Sequence, residues 1–117
     1  MSDIQRHESN RRMSRIVVHN GIVYLAGVTA AVRDGDISAQ TKSVLDTIDA
    51  RLKSVGSSKQ KLLSAQIWLK DIERDFAAMN AVWEEWTAAD GAPARATCEA
   101  KLAAPELLVE IIITAAL

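Results

Sequence analysis

The sequence predicts an α+β domain in which a mixed β-sheet is joined by two helices. An Asn-Gly pair stands between two β-rich runs near the N-terminus, as in a β-hairpin. Two later segments repeat apolar residues at helical spacing, and each is followed by a β-rich run. Because a helical crossover joins parallel strands and a hairpin joins antiparallel ones, this order requires both kinds of pairing.

The hairpin is predicted from residues 15–19 and 22–26, on either side of the Asn20-Gly21 pair. Both central positions of a type I′ turn need positive φ, which Asn and Gly adopt more readily than other residues. A short extended segment at 28–32 follows the hairpin.

The first helix is predicted over residues 37–55. Asp36 or Ser38 is placed to cap its N-terminus, and Gly56 stands where a left-handed C-terminal cap is favoured. Its apolar residues form one stripe at helical spacing: Ile37, Val44, Leu45, Ile48, Leu52 and Val55.

The second half of the chain reads strand, helix, strand, strand. We predict a strand over 62–69, a helix over 72–88 capped by Asp71, and strands over 94–101 and 107–114. One face of the first of these strands carries Leu63, Ala65, Ile67 and Leu69. The apolar stripe of the helix consists of Ile72, Phe76, Met79, Trp83 and Trp86.

Composition excludes several classes of function. The 117 residues carry 14 Lys and Arg against 15 Asp and Glu, a net charge of −1, which argues against a nucleic-acid or anionic-membrane partner. A single cysteine excludes an intramolecular disulfide, and two histidines argue against a protein-built transition-metal site, so no metal is predicted.

The chain is divided into a polar N-terminal segment at 1–12 and a single domain at 13–117. The N-terminal segment has charges of both signs and no apolar core, unlike a secretory signal, and no run of about 18 apolar residues follows. These features favour a cytoplasmic location.

The last strand predicts self-association. Leu107, Val109, Ile111 and Ile113 point one way, while Leu108 and Ile112 make the opposite face largely apolar too. Because two helices with one stripe each can cover one face, a second copy of the chain is the economical cover for the other. Trp68, on the second face of its own strand, favours the same homo-oligomer.

Two charged residues are the candidates for chemistry. Arg95 alternates with alanines in its strand, where its guanidinium is either a rigid fork for a carboxylate or a solvated or ion-paired surface group. Glu110 stands inside Leu-Leu-Val-Glu-Ile-Ile-Ile, so it is either a water-activating carboxylate in an apolar cleft or a charge that blocks edge aggregation. Cys98, on the small-residue face of its strand, is interpreted as a packing thiol.

The order and spacing of short motifs resemble the YjgF/RidA (reactive-intermediate deaminase) family from about Met13 onward. The matching stretches are Asn-Gly-Ile-Val-Tyr-Leu-Ala-Gly at 20–27, Gln-Thr at 40–41, Asp-Ile at 71–72, Pro-Ala-Arg at 93–95 and Val-Glu-Ile at 109–111. The resemblance implies a chorismate-mutase-like fold with two helices on one face of the sheet. It also implies a homotrimer with ligand clefts between subunits.

The resemblance further implies an activity without a cofactor: hydrolysis of 2-imino or 2-enamino acids to 2-keto acids and ammonia. By that resemblance Arg95 grips the substrate carboxylate, Glu110 positions the attacking water, and the main chain at Gly27 and Cys98 lines the cleft. The chain departs from the best-known branch, since Arg12-Met13-Ser14-Arg15 has no cleft tyrosine and Ala26-Gly27-Val28 replaces Ser-Gly-Gln. It therefore resembles a divergent branch.

Two other functions remain open from the sequence. A non-catalytic, carboxylate-binding trimer with a sensor or regulatory role would need Arg95 but not Glu110. A chaperone or ribonuclease role has been attributed to members of the family, but the near-neutral charge disfavours RNA.

Overall fold

The computed structural model describes residues 3–117 and has the predicted α+β architecture, with seven strands and two α-helices. A 3₁₀ turn, Lys59–Lys61, precedes the fifth strand. In chain order the elements are β1 (Gln5–Ser9), β2 (Ser14–His19), β3 (Ile22–Leu25), β4 (Val28–Thr29), α1 (Ile37–Ser54), β5 (Leu62–Leu69), α2 (Ile72–Trp86), β6 (Ala94–Glu99) and β7 (Val109–Ala116).

The strands form one mixed sheet in the order β1-β2-β3-β7-β5-β6, and β4 also pairs with β7. Only β5 and β6 are parallel, joined by α2 as the crossover, and the other pairs are antiparallel. Strand β6 therefore lies at one edge of the sheet, and its outer side is unpaired within the described chain.

Both helices pack on one face of the sheet, as predicted. The alternate residues of β7 that face them are fully buried: Val109, Ile111, Ile113 and Ala115. From the helices, Val44, Leu45, Ile48, Leu52, Met79 and Trp83 complete the core. Asp36 caps α1 by accepting a hydrogen bond from the Ala39 amide (2.9 Å), and Asp71 caps α2 in the same way.

The opposite face, here called the open face, has no helix on it. Strand registers place Tyr24, Trp68, Ile112 and Thr114 there, and Tyr24 is 46% exposed. This confirms that the last strand has two largely apolar faces and that the helices cover one of them.

The structure adds a strand, β1, that the sequence does not predict. Its five residues are polar and lack an apolar alternation, so backbone pairing with β2 defines it instead. The turn between them is closed by Asn10, whose side-chain oxygen accepts from the amides of Arg12 (2.7 Å) and Met13 (3.0 Å). Charged residues are common on such edge strands, where they oppose aggregation.

Several predicted boundaries change because pairing, not composition, ends a strand. The extended segment at 28–32 shortens to Val28–Thr29, and β6 ends at Glu99, where its partner β5 also ends. A register shift between Leu62 and Ser64 buries Leu62 and leaves Leu63 exposed, the reverse of the predicted face.

Helix α2 also differs from its predicted stripe. It ends at Trp86, where Thr87 turns to extended backbone and its hydroxyl donates to the Trp83 carbonyl. Phe76 remains 41% exposed, while Asp75 is buried against the Arg74 guanidinium. No helix among residues 3–117 is long and apolar enough to cross a membrane.

Candidate functional site

Arg95 lies on the edge strand β6 and extends toward the helices. It pairs with Ala65 of β5, a residue buried beneath the helices, so its side chain is on the helix-covered side. There its guanidinium carbon stands 5.6 Å from the centroid of the Trp83 ring, a cation–π contact. Within residues 3–117 the guanidinium makes no ion pair or side-chain hydrogen bond.

The neighbouring carboxylate on this face, that of Glu99, bonds to the start of α2 and not to Arg95. Glu99, four residues beyond Arg95 on the same face of β6, accepts a hydrogen bond from the backbone amide of Ile72 at the start of α2 (3.1 Å). It thereby satisfies a helix N-terminal donor. The ion-paired interpretation of Arg95 is therefore wrong for the described chain. The solvated one agrees with the structure, because Arg95 is exposed and its N–H donors are open to water or to a ligand.

Glu110 lies on the open face. It pairs with Thr29 of β4 on one side and Trp68 of β5 on the other. Partial burial among these strands raises the pKa of Glu110 above the ordinary glutamate value, because the charged form loses solvation. No hydrogen-bond donor within residues 3–117 compensates for that loss.

Gly27 makes the position of Glu110 possible. A Cβ at residue 27 would overlap Oε2 of Glu110 and lie 3.1 Å from its Cδ. A larger residue at position 27 would therefore force the Glu110 carboxylate to move, and glycine matters here for the close approach of that side chain rather than for its φ angle. Gly27 and Glu110 are brought together, as the sequence analysis places them.

Arg95 and Glu110 are not brought together within one chain. They lie on opposite faces of the sheet, on strands separated by β5 and three residues apart in register. At about 4.8 Å between strands and about 3.3 Å per residue, their Cα atoms are about 14 Å apart. One small molecule cannot touch both side chains across a packed sheet.

Comparison with known proteins places this chain in a family. The family model described as endoribonuclease L-PSP matches residues 4–117. The chain belongs to this family, which is the YjgF/RidA family. The resemblance seen in the short motifs is thus confirmed over nearly the whole chain.

The similar proteins within the YjgF/RidA family are close in length as well as sequence. The chain is 43% identical over 113 residues to a RutC family protein of Haemophilus influenzae, covering 96% of this chain and 97% of that one. It is 43% identical to the RutC family protein YoaB of Escherichia coli, with 97% of each covered. These names state a family and leave the reaction open.

Solved structures in the family share the fold. A YjgF protein family member from Neisseria meningitidis matches with a TM-score of 0.94 and 43% identity, over 97% of this chain and 94% of that one. A putative translation initiation inhibitor from Salmonella typhimurium matches with a TM-score of 0.89 and 40% identity, over 97% of both chains. The two helices on a mixed sheet are therefore the family fold.

Cys98 lies on the open face in the same cross-strand row as Glu110, with Trp68 between them. Its thiol is exposed, so the packing interpretation does not hold within one chain. The Ala100 amide donates to Leu69 of β5 (2.9 Å). Because the amides of successive strand residues point in opposite directions, the Cys98 amide also points toward β5. The Thr97 amide points to the free edge of β6.

Two side chains beside Arg95 were missed as site candidates. Trp83 falls in the helical stripe and is interpreted from sequence only as core, although it is also the surface on which Arg95 rests. Thr97 shares the face of Arg95, and its buried hydroxyl has no hydrogen-bond partner in the described chain. The alternation of β6 could have paired Thr97 with Arg95; nothing in the sequence pairs Trp83 with it.

No group of three or more His, Cys, Asp or Glu side chains in residues 3–117 is arranged to hold a metal ion. What the arrangement does offer is an available guanidinium at a sheet edge and a poorly solvated carboxylate on a separate face. The first suits an anion, and the second suits proton transfer.

Proposed function

We propose that this protein hydrolyses 2-imino and 2-enamino acids to 2-keto acids and ammonia in clefts formed between copies of a homotrimer. The observation that carries the proposal is Arg95, whose donors have no partner among residues 3–117 while its guanidinium rests on Trp83. A guanidinium with this freedom binds a carboxylate through two parallel hydrogen bonds. No cofactor enters the proposed reaction, and a cytoplasmic site of action is part of the same proposal.

Arg95 contributes orientation and charge. Holding the carboxylate places C2 of the substrate at a fixed distance from the guanidinium and orients the C=N bond for attack. Neutralising the substrate carboxylate by Arg95 makes C2 more electrophilic, because less negative charge then repels the attacking water. The solvent supplies the proton on the nitrogen.

Glu110 contributes the base. Its raised pKa brings it closer to neutral pH, where a carboxylate accepts a proton from water most usefully. The water oxygen bonds to C2 while the C=N electron pair moves to nitrogen, and Glu110 takes the proton. Glu110 then gives that proton to the amino group and takes the remaining proton from the hydroxyl group as the C–N bond breaks, so ammonia leaves and the C=O bond of the 2-keto acid forms.

The separation of the two residues requires that each cleft use two copies. Arg95 sits at the free edge strand, and Glu110 sits on the open face, where an apolar surface including Trp68 and Ile112 is available for a second subunit. Packing the edge of one sheet near the open face of another brings the two charges to one crevice. The family's trimeric assembly, implied by the resemblance, supplies such a contact three times.

The test is ammonia release from imines generated in place by an amino-acid oxidase. We expect Arg95→Ala and Glu110→Gln each to lower kcat/KM by about a hundredfold or more. Arg33→Ala is the matched control, because it also removes an exposed guanidinium, one bound to the equally exposed Glu106 instead. Wild-type rates in Arg95→Ala would remove the mechanism.

The same assay separates catalysis from simple binding. If the wild type releases no ammonia from any imine tested but is stabilised against heat by 2-keto acids, and Arg95→Ala loses that stabilisation, the protein is a carboxylate-binding trimer. In that case Glu110→Gln would still be stabilised, because binding alone does not need the base.

A further inference from the structure

The guanidinium of Arg95 lies over the ring of Trp83, and this contact restricts the side chain of Arg95. The guanidinium carbon is 5.6 Å from the indole centroid, and Trp83 is only 5% exposed. An arginine side chain on an edge strand otherwise has many rotamers, and its rotamer entropy opposes holding it in one of them. The indole is the one described aromatic ring that faces this guanidinium.

The indole itself is held in place from behind. Its ring centroid is 5.4 Å from that of Trp86 at an interplanar angle of 48°. Trp86 is anchored in turn, because its Nε1 donates to Asp49 of α1 at 3.0 Å. Trp83 is therefore a fixed surface against which Arg95 can rest.

The contact also leaves the hydrogen-bonding groups of Arg95 unused. Cation–π attraction acts on the charge and needs no N–H donor, unlike an ion pair. Since Glu99 is bound to the Ile72 amide, nothing else on this face of β6 competes for those donors. The side chain is held while its fork stays available.

We propose that Trp83 is a positioning residue, which holds the Arg95 guanidinium for the substrate carboxylate. The inference rests on the proposed function in one respect: Arg95 is taken to bind a carboxylate. It adds that the stacked tryptophan, and not the strand alone, sets the affinity of that site. Trp83 touches Arg95 and does not itself touch the substrate.

The test compares Trp83→Leu, which removes the ring, with Trp83→Phe, which keeps an aromatic face. We expect Trp83→Leu to raise KM about tenfold with kcat nearly unchanged, since a lost carboxylate anchor weakens ground state and transition state alike. Trp83→Phe should stay within about threefold of wild type. The dissociation constant of 2-oxobutanoate, measured by calorimetry, should change in parallel with KM.

Two controls separate positioning from general loss of structure. Ile16→Ala creates a cavity in the same core on β2, four strands away from β6, and should leave KM and the dissociation constant unchanged. In an Arg95→Ala background, Trp83→Leu should weaken 2-oxobutanoate binding no further, because the two residues act through one contact.

The outcomes are distinct from those of the proposed function. If no imine is hydrolysed, the catalytic proposal fails, but calorimetry with 2-oxobutanoate still measures the effect of Trp83. Wild-type affinity in Trp83→Leu, an equal loss in Ile16→Ala, or no 2-oxobutanoate binding by the wild type would each overturn the positioning role.

Discussion

At the scale of single residues, Glu110 lies in an environment that disfavours its charged form. It lies between two strands on a largely apolar face, and burial raises its pKa. A carboxyl with a raised pKa holds its proton more tightly in the folded state than in the unfolded chain. Its ionisation therefore opposes folding.

This linkage predicts how stability depends on pH. Between the ordinary glutamate pKa of about 4.3 and the raised value in the fold, the native state binds more protons, so the free energy of unfolding falls as pH rises. Glu110→Gln should lack this loss and gain on the wild type from acid to neutral pH. Urea unfolding of both proteins across that range measures it, and a constant difference would contradict the assignment to Glu110.

The Gly27 contact predicts a second effect at residue scale. Gly27→Ala forces the flexible Glu110 carboxylate to turn away from its position, which should lower the rate of ammonia release at a cost of about 1 kcal/mol of stability. In a Glu110→Ala background the same substitution meets no carboxylate and should cost much less. Equal costs in both backgrounds, from urea unfolding, would show that the clash lies elsewhere.

For these residues the sequence predicted which side chains of one strand share a face, but not which residues of other strands lie beside them. Alternation put Arg95, Thr97 and Glu99 on one face of β6, and the structure confirms it. Which face that is depends on the register with β5, and no local signal specifies register between strands that a helix separates. The contact of Trp83 with Arg95 was unpredictable for the same reason, and only the resemblance to the family placed Gly27 and Glu110 in one cleft.

At the scale of elements, Gln40 of α1 joins the helix to the segment that leads into β7. Its side chain is fully buried, and Nε2 donates to the carbonyls of Arg33 (3.1 Å), Gly35 (3.3 Å) and Glu106 (2.9 Å). Its Oε1 accepts from the Leu108 amide (2.9 Å), two residues before Glu110. The two Nε2 hydrogens are shared among three carbonyls, so one amide bonds to four backbone groups, in the segment before α1 and the segment before β7.

Replacing that amide should be costly. Gln40→Leu keeps the volume but strands these backbone groups, so we expect a loss of about 3 kcal/mol in the free energy of unfolding. Thr41→Val is the matched control, since the adjacent buried hydroxyl makes one bond, to the Ile37 carbonyl, and should cost about 1 kcal/mol. Similar values for the two variants in urea unfolding would refute this role of Gln40.

Elements with local signals were predictable from sequence, and elements defined by pairing were not. The Asn20-Gly21 turn, with both residues at positive φ, and the Asp71 cap are confirmed because each depends on a few adjacent residues. Strand β1 has no such signal, and the bulge beside Leu63 reversed a face that simple alternation assigns.

At the scale of the whole molecule, the fold separates the two candidate charges. The sheet that buries the core on one side places Arg95 beside α2 and Glu110 on the open face. A two-faced apolar strand predicted that another copy covers the open face. If it does, assembly and chemistry are coupled, because the separated charges can serve one substrate only across a subunit boundary.

That coupling predicts complementation between two inactive variants. Arg95→Ala and Glu110→Gln, co-expressed with different tags and purified through both, form mixed assemblies in which no chain carries both residues. If each cleft takes Arg95 from one subunit and Glu110 from its neighbour, a mixed cyclic trimer of either composition regains one intact cleft of three. The recovered rate of ammonia release should then be about a third of the wild-type rate.

The control is Arg95→Ala co-expressed with itself under the same two tags, which has no intact cleft in any arrangement and should stay inactive. Light scattering of each doubly purified sample gives its mass and shows that mixed assemblies formed. A mixed sample that assembles yet releases no ammonia would mean that both residues act from one chain. The sheet geometry would then have to change on assembly, because Arg95 would need to leave Trp83 and cross the free edge of β6 to reach the face that holds Glu110.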